Sequence, residues 1–283
     1  MGTLISSGEL SALLAGSPPL VVDCRKELAE PQSGRMAYAQ AHLPGAVYAD
    51  LDSDLSDLSR EGLGRHPLPH ARAFSEVLSR WGWQPGRRVV AYDDAGGALA
   101  AARLWWMMRA VGAHEVFVLD GGYAAWLRNG LATDAAIPRI AASRVEVSFD
   151  AGQLVDFDAL QAGLAGSTLR LLDARGAPRY RGETEPLDPV AGHVPGAYNR
   201  PFADNLDDSG CFKSARHLAA EFAPLIEPHA PDAVVHMCGS GVTACHNLLA
   251  MEHAGLHGSR LFAPSWSGWL DDPARPVRVG GTP

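Results

Sequence analysis

Short runs of hydrophobic residues recur in both halves of the chain and are separated by longer amphipathic stretches. In the first half the runs are Leu20–Asp23, Val89–Tyr92 and Val116–Leu119, and in the second half they are Leu169–Asp173 and Ala233–Met237. Each run is too short for a helix and consists almost entirely of apolar residues, as strands buried on both faces do. The runs therefore predict buried parallel strands in each half.

Apolar residues at helical spacing fill the stretches between these runs. The predicted helices include Phe74–Trp81, Ala98–Val111 and Thr243–Ala254. Strands that alternate with helices form βαβ units, so the predicted fold class is α/β, with a parallel sheet flanked by helices in each half. The stretch Leu131–Phe149 has weak periodicity, a proline and many small residues, and we interpret it as the connection between two domains.

Four segments of the first half have counterparts in the second half, in the same order and at offsets between 143 and 151 residues. The pairs are Leu20–Arg25 with Arg170–Arg175, His42–Ala46 with His193–Ala197, Val89–Asp93 with Val234–Cys238, and the aromatic segments that end at Trp126 and Trp269. Four matches in series indicate a duplicated domain. Asp93 stands where the second half has Cys238, and we expect it to be a solvated loop carboxylate.

Length and charge narrow the class of protein. A chain of 283 residues is near the upper limit for a single hydrophobic core, which favours two domains. The net charge of -8 and the pI of about 5.7 argue against nucleic-acid binding, but a few arginines and a helix N-terminus could still hold a small anionic substrate. No signal peptide and no stretch of about 20 apolar residues is recognisable, so we expect no membrane segment and a cytoplasmic location.

The four cysteines are Cys24, Cys211, Cys238 and Cys245, and none belongs to a Cys-x-x-Cys pair. This spacing argues against a structural zinc site and against a thioredoxin-type dithiol. We expect free thiols and no metal, because no cluster of metal ligands is apparent. No organic cofactor is expected either, because the sequence has no nucleotide-binding fingerprint.

The segment from Val234 to Cys245 carries the clearest chemical signal. A predicted buried strand ends, a loop with Gly239 and Gly241 follows, and a predicted helix begins. Ligands of parallel sheets bind at the carboxyl ends of the strands, and the glycines allow backbone N–H groups to converge near the helix N-terminus. These features favour the thiolate of Cys238, which is a nucleophile. Cys245 lies two helical turns further on and is interpreted as a buried hydrophobic residue.

The loop Cys-Gly-Ser-Gly-Val-Thr-Ala at 238–244 resembles the active-site loop of the 3-mercaptopyruvate sulfurtransferases, a group of the rhodanese superfamily. The thiosulfate sulfurtransferases share its Val-Thr-Ala end but carry basic residues after the cysteine, where Gly239 and Ser240 stand here. The resemblance extends over nearly the whole chain and includes His193–Ala197, Arg103–Trp106, Trp266 and Trp269. It implies two tandem rhodanese-like domains: an inactive domain at 1–133, a linker at 134–152 and a catalytic domain at 153–283.

The resemblance also implies a set of site residues. The implied catalytic residues are Cys238, Ser240, His66 and Asp52, and the implied substrate-binding residues are Arg179, Gly239, Gly241, Val242 and Thr243. His66 precedes Pro67-Leu68-Pro69, which matches the family pattern His-x-Leu-Pro. Asp52 is the less specific match, because Asp50 and Asp54 lie beside it.

Two positions depart from the family pattern. A second carboxylate-binding arginine is expected after Glu-Pro, but Leu187 and Asp188 follow Glu185-Pro186 here. An acidic residue is expected before Trp269, where this chain has Gly268. The first departure bears on the identity of the sulfur donor.

The function implied by the resemblance is transfer of sulfur from 3-mercaptopyruvate, through a persulfide on Cys238, to a thiol or cyanide, with release of pyruvate. Thioredoxin or glutathione would be the thiol acceptor. Two alternatives stay open: a thiosulfate sulfurtransferase, and a persulfide carrier or sensor with low turnover. A phosphatase of the Cys-x5-Arg type fits poorly, because Ala244 stands at the arginine position.

Overall fold

The computed structural model describes residues 3–26 and 32–283. The described chain forms two compact units. The first contains the residues up to Asp57, with Leu68–Asp150 and Leu206–Phe212, and the second contains Leu58–Pro67, Ala151–Asn205 and Lys213–Pro283. Two segments do not follow the predicted domain boundaries. Residues 58–67 belong to the second unit and residues 206–212 belong to the first. As a consequence, His66 and Cys238 are part of the same compact unit.

The first unit is built on a five-stranded parallel sheet with the order β1-β5-β4-β2-β3. Its strands are β1 (Leu4–Ile5), β2 (Leu20–Asp23), β3 (Val47–Tyr48), β4 (Val89–Tyr92) and β5 (Val116–Leu119). Its helices are α1 (Ser7–Ala15), α2 (Ser33–Gln40), α3 (Ala71–Arg80), α4 (Ala101–Ala110) and α5 (Gly122–Arg128). The three strands that hydrophobicity predicted in this half occur with the predicted bounds.

The second unit has a four-stranded parallel sheet with the order β7-β6-β8-β9. Its strands are β6 (Arg170–Asp173), β7 (Ala197–Asn199), β8 (Val234–Met237) and β9 (Arg260–Leu261). Its helices are α6 (Phe157–Ala165), α7 (Ala177–Arg181), α8 (Ala215–Ile226), α9 (Ala244–His253) and α10 (Ser265–Trp269). The predicted strands in this half begin one residue early. The predicted helix Thr243–Ala254 corresponds to α9.

The predicted duplication is visible in the pairing of the strands. In the first unit β2 lies between β3 and β4, and in the second unit its counterpart β6 lies between β7 and β8. An isolated parallel bridge between Leu154 and Leu261 occupies the edge that β1 occupies in the first unit. The predicted fold class, two parallel sheets flanked by helices, is confirmed.

Both units also repeat the same buried polar contacts. In each, an aspartate at the end of a strand pairs with an arginine two residues later, and a histidine stacks on a tyrosine. The ion pairs are Asp23–Arg25 at 2.7 Å and Asp173–Arg175 at 2.6 Å, and the stacked rings are Tyr38–His42 and Tyr180–His193. Because charged groups are costly to bury without a partner, these pairs explain why both halves keep the Asp-x-Arg sequence.

The core of each unit is apolar and closely follows the predicted strands and helices. Trp105 and Trp106 on α4, and Trp266 and Trp269 on α10, are buried, as expected for packing residues. The stretch 131–149 forms neither helix nor strand apart from a bridge between Asp134 and His42. No helix among the described residues is both long and apolar enough to cross a membrane.

A histidine in the middle of β8 makes folding sensitive to acid. His236 is fully buried, and its Nε2 lies 3.1 Å from the Met251 sulfur. Its Nδ1 has no hydrogen-bonding partner among residues 3–26 and 32–283. Burial lowers the pKa of His236 to about 3. In the unfolded chain a histidine has a pKa of about 6.5, so below that pH the unfolded state binds a proton that the folded state excludes.

The free energy of unfolding should therefore fall as the pH drops from 6.5 towards 3. Between pH 7 and pH 5 this histidine should cost about 2 kcal/mol of stability, and the variant His236→Leu should not show that loss. Urea unfolding of both proteins at the two pH values measures the difference. The exposed His114, changed to leucine, serves as the control and should leave the pH dependence as it is. An equal pH dependence in wild type and His236→Leu would contradict the prediction.

Candidate active site

The loop after β8 surrounds the sulfur of Cys238. Cys238 is only 2% exposed, and its Sγ accepts a hydrogen bond from the backbone N–H of Gly241 at 3.2 Å. Gly241 has a φ of +76°, a left-handed conformation that favours glycine at this position of the loop. The loop leads directly into α9, whose N-terminus adds a positive partial charge near the sulfur.

The short helix α10 fixes the cysteine loop through the backbone. The N–H groups of Trp266 and Ser267 donate to the carbonyls of Cys238 and Gly239, each at 2.9 Å. The Ser265 hydroxyl accepts from the N–H of Cys238 at 3.1 Å. The cysteine loop is therefore held by backbone N–H groups of α10 together with the Ser265 hydroxyl.

The segment 58–67 is fastened to the same helix. The N–H of Arg65 donates to the Ser267 hydroxyl at 3.0 Å. Gly64 has a φ of +82°, and a methyl group on its Cα would lie 2.5 Å from the Pro264 carbonyl oxygen. A methyl group on Gly268 would lie 3.1 Å from the nitrogen of Gly64. This close approach gives a physical reason for Gly268, the residue at which the family pattern has an acid: no side chain fits between the two backbones.

That attachment brings His66 to the cysteine loop. Its Nδ1 lies 2.8 Å from the Ser240 hydroxyl, and Ser240 is only 8% exposed. The two residues are 174 positions apart in sequence. A histidine in contact with a serine hydroxyl can exchange a proton with it, so the pair can supply or remove a proton two residues from Cys238.

Two arginines approach the loop on the side of Gly239. A methyl group built on Gly239 would lie 3.0 Å from Nη2 of Arg65 and 3.5 Å from Nη1 of Arg179. A side chain at this position would contact both guanidinium groups and would require that of Arg65 to shift, so the glycine leaves room for the two arginines beside the cysteine. The arrangement presents cationic donors next to the nucleophile, where a small anion could bind.

Carboxylates hold both arginines in place. Glu185 accepts from Nε and Nη2 of Arg179, at 3.1 and 2.7 Å. Asp188 accepts from Arg179 Nη2 at 3.1 Å and from Nη1 of Arg65. The predicted binding residue Arg179 is thus at the loop, and Asp188 connects it to an arginine that the sequence did not indicate.

The two carboxyl groups respond differently to this environment. Burial is the largest effect on Glu185 and raises its pKa, but the hydrogen bond from Arg179 and those from the N–H groups of Leu187 and Asp188 lower it below the ordinary value overall. Burial is also the largest effect on Asp188, and there it prevails over the attraction of the arginines, so the pKa of Asp188 is raised.

Asp52 lies in the first compact unit, where its Oδ2 is 2.5 Å from the Lys26 ammonium. Of its acidic neighbours, Asp54 pairs with Arg80 at 2.5 Å, and Asp50 accepts from the N–H of Asp52 at 2.9 Å. Asp52 thus forms an ion pair with Lys26 within its own unit, and its catalytic role stays a prediction.

The expectation that Asp93 is a solvated carboxylate is wrong. Asp93 is fully buried at the end of β4, the position that Cys238 has after β8. Its carboxylate accepts four backbone N–H groups, those of Ala95, Gly97, Leu99 and Ala101. Burial, the largest effect, raises the pKa of Asp93. The first unit therefore has the same kind of N–H-lined loop, but the Asp93 carboxylate stands in it where the second unit has the Cys238 thiol.

The remaining predicted residues follow the course of the loop. Val242 is 5% exposed, and Thr243 precedes the first residue of α9. Cys245 is fully buried and its thiol donates to the Gly241 carbonyl at 3.5 Å, which agrees with its interpretation as a packed residue. Burial raises the pKa of Cys24 well above its ordinary value, so this thiol is a poor nucleophile.

Arg65 and Ser267 are the residues that sequence reasoning missed. Arg65 directly precedes the predicted His66, and this position next to a predicted site residue could have indicated it. The importance of Ser267 depends on the contact between 58–67 and α10, which no local pattern reveals.

Comparisons with known proteins show the family to which this chain belongs. A family model described as a rhodanese-like domain matches residues 6–129 and 156–272. A probable 3-mercaptopyruvate sulfurtransferase of Pseudomonas aeruginosa is 45% identical over 279 residues, which are 98% of this chain and 98% of that one. A putative thiosulfate sulfurtransferase of Mycobacterium tuberculosis is 42% identical over 286 residues, 98% of this chain and 97% of that one. The solved structure of 3-mercaptopyruvate sulfurtransferase from Leishmania major matches with a TM-score of 0.82 and 29% identity, covering 94% of this chain and 73% of that one.

The contact between Gly64 and α10 should be essential for stability. The substitution Gly64→Ala forces a methyl group against the Pro264 carbonyl, whereas Gly62→Ala introduces a methyl group at a similar φ of +72° with no atom within 4 Å. We expect Gly64→Ala to lower the free energy of unfolding by roughly 1–3 kcal/mol more than Gly62→Ala does. Urea unfolding of the two variants measures this difference. Equal losses in both would show that the left-handed backbone, and not the close approach, determines the cost.

Proposed function

Because this chain belongs to the rhodanese-like family, we propose that it transfers sulfur from 3-mercaptopyruvate, through a persulfide on Cys238, to a thiol or to cyanide. The observation that carries the proposal is the arrangement at one loop: the Cys238 sulfur, the Ser240–His66 contact at 2.8 Å and two arginines at Gly239. A nucleophile, a proton-transfer pair and an anion site are the three parts that this reaction needs.

In the first step the Cys238 thiolate attacks the sulfur of the donor. A sulfur–sulfur bond forms, the carbon–sulfur bond of the donor breaks, and its electron pair stays on carbon as the enolate of pyruvate. The proton of the donor thiol ends on that carbon, which leaves pyruvate and the Cys238 persulfide anion. The Gly241 N–H, which donates to the cysteine sulfur, supports negative charge in this loop.

Ser240 and His66 serve the proton movement in this scheme. The serine hydroxyl can donate to the donor carbonyl as enolate charge develops, while His66 relays the proton that the enolate carbon finally takes. Asp52 is proposed as the third member by family resemblance, and its carboxylate also accepts from the Lys26 ammonium at 2.5 Å.

Arg179 and Arg65 are the proposed anchors for the donor carboxylate. Both guanidinium groups lie next to Gly239, and a planar guanidinium suits a carboxylate well. Arg65 provides the second cation that the sequence lacks at Leu187. Gly239, Gly241, Val242 and Thr243 complete the loop that would receive the outer sulfur of the persulfide.

In the second step the acceptor removes that outer sulfur and restores the Cys238 thiolate. A thiol acceptor such as thioredoxin or glutathione becomes a persulfide, and cyanide becomes thiocyanate. We propose a thiol as the natural acceptor and the cytoplasm as the location, in line with the four free cysteines among the described residues.

Thiosulfate is the second candidate donor. Leu187 stands where the family pattern has a second arginine, and this departure favours thiosulfate. The relative from Mycobacterium tuberculosis, which is named a putative thiosulfate sulfurtransferase, also favours it. Against it stand Gly239 and Ser240, where thiosulfate enzymes have basic residues. A carrier or sensor with low turnover is the third possibility, but such a protein would need only the cysteine loop, and not the Ser240–His66 pair.

The test of this proposal is a comparison of kcat/KM with 3-mercaptopyruvate and with thiosulfate, using cyanide as acceptor for both. We expect a preference of about tenfold or more for 3-mercaptopyruvate, equal to about 1.4 kcal/mol in the transition state. Cys238→Ser should abolish transfer from both donors, and Cys245→Ser, the matched control, should retain most of it. A preference for thiosulfate would identify the second candidate, and negligible turnover of both would favour the carrier.

The arginine anchors make a separate prediction. Arg179→Ala and Arg65→Ala should each raise KM for 3-mercaptopyruvate about tenfold or more, since each removes a charged hydrogen bond to the carboxylate. Steady-state kinetics of the variants measures this. Arg181→Ala is the control, because Arg181 is exposed and pairs with Glu183 at 2.7 Å, so its KM should equal that of wild type. An unchanged KM in Arg179→Ala or Arg65→Ala would remove that arginine from the donor site.

A further inference from the structure

Asp188 lies between the two arginines of the donor site and has no role in the scheme above. Its side chain is only 3% exposed. One carboxylate oxygen accepts from Nη1 of Arg65, and the other accepts from Nη2 of Arg179 at 3.1 Å. The carboxylate thus connects two guanidinium groups that belong to distant parts of the sequence, and it fixes the distance between them.

The Asp188 bridge leaves other donors of the arginines available. Nη2 of Arg65 and Nη1 of Arg179 have no acceptor among the residues that the structure describes, and both lie within 3.5 Å of a methyl position on Gly239. Asp188 therefore holds the arginines without occupying the nitrogen atoms next to the cysteine loop. It acts as a positioning residue, since it touches the arginines and not the reacting atoms.

The bridge also changes the charge of the site. Every arginine near the loop has a carboxylate partner: Arg175 pairs with Asp173, Arg179 with Glu185, and Arg65 with Asp188. These three pairs sum to zero, and the Cys238 thiolate adds one negative charge. A donor thus meets directed hydrogen-bond donors but no surplus of positive charge.

We propose that Asp188 determines the charge class of the donor, because it cancels the charge of Arg65 while holding Arg65 and Arg179 in position for a single carboxylate. This inference rests on the proposed function and adds selection for monoanions. 3-Mercaptopyruvate brings one negative charge to the site, whereas thiosulfate brings two. The second charge is repelled by Asp188 in a partly buried site, where charges interact more strongly than in water.

The test compares the binding of two unreactive anions, pyruvate with one charge and sulfate with two. Isothermal titration calorimetry at low ionic strength gives their dissociation constants for wild type, Asp188→Asn and Glu183→Gln. We expect Asp188→Asn to bind sulfate about tenfold more tightly, about 1.4 kcal/mol, and to change pyruvate binding no more than about threefold. Glu183→Gln removes the same charge from an exposed pair and should match wild type.

Two further variants separate charge from position. Asp188→Glu keeps the charge and displaces the carboxylate, so it should weaken both anions while the preference for pyruvate persists. Asp188→Ala removes both the charge and the hydrogen-bond acceptor, should strengthen sulfate binding as Asp188→Asn does, and keeps the test available if the asparagine variant fails to fold. In turnover, Asp188→Asn should shift the ratio of kcat/KM for the two donors about tenfold toward thiosulfate.

A sulfate dissociation constant that changes less than threefold in both uncharged variants would overturn the inference. So would equal tightening of sulfate and pyruvate, or the same gain in Glu183→Gln. A wild-type protein that turns over neither donor would overturn the proposed function, and the two dissociation constants would still decide the role of Asp188.

Discussion

The backbone hydrogen bonds between α10 and the cysteine loop are the interaction on which the rest of the site depends. Trp266 and Ser267 donate to the carbonyls of Cys238 and Gly239, so the loop keeps one shape. The same helix also holds the segment 58–67. Its Ser267 hydroxyl accepts a hydrogen bond from the N–H of Arg65, and its Gly268 packs closely against Gly64. A single short helix thereby sets the positions of Cys238, His66 and Arg65, the residues proposed as nucleophile, proton-transfer group and anion anchor.

Paired charges are the second constraint. Each arginine at the loop has a carboxylate partner, which keeps the guanidinium groups fixed in a place that is largely shielded from water. In the proposed function, the site would therefore recognise an anion by the direction of its hydrogen-bond donors more than by net charge. The first unit has a similar loop lined by backbone N–H groups. There the negative charge belongs to the protein itself, because the Asp93 carboxylate accepts from those N–H groups. One residue distinguishes the two loops, because Asp93 in the first unit stands where the second unit has Cys238.

The sequence predicted the fold well because the central strands are buried on both faces. Runs such as Leu20–Asp23 and Val89–Tyr92 have no polar face, and their bounds in the structure equal the predicted ones. The edge strands escaped prediction, because β1, β3 and β9 have only two residues each, too few for a pattern. The burial of Asp93 was not predicted either. A carboxylate in a loop is usually exposed to solvent, and only the folded structure shows that backbone N–H groups converge on this one.

For the site, the sequence by itself determined the proposed nucleophile and its loop, because Cys238, the glycines and α9 are consecutive and their chemistry is local. It also indicated His66 and Arg179 through short motifs. Only the tertiary structure decided that Arg65 and Asp188 join them and that Gly268 must lack a side chain. These facts depend on contacts between residues more than 100 positions apart, such as Arg65 with Asp188 and Gly64 with Gly268. Hydrophobic patterning specifies which face of an element is buried, but the partner of a charged side chain is specified only when the chain has folded.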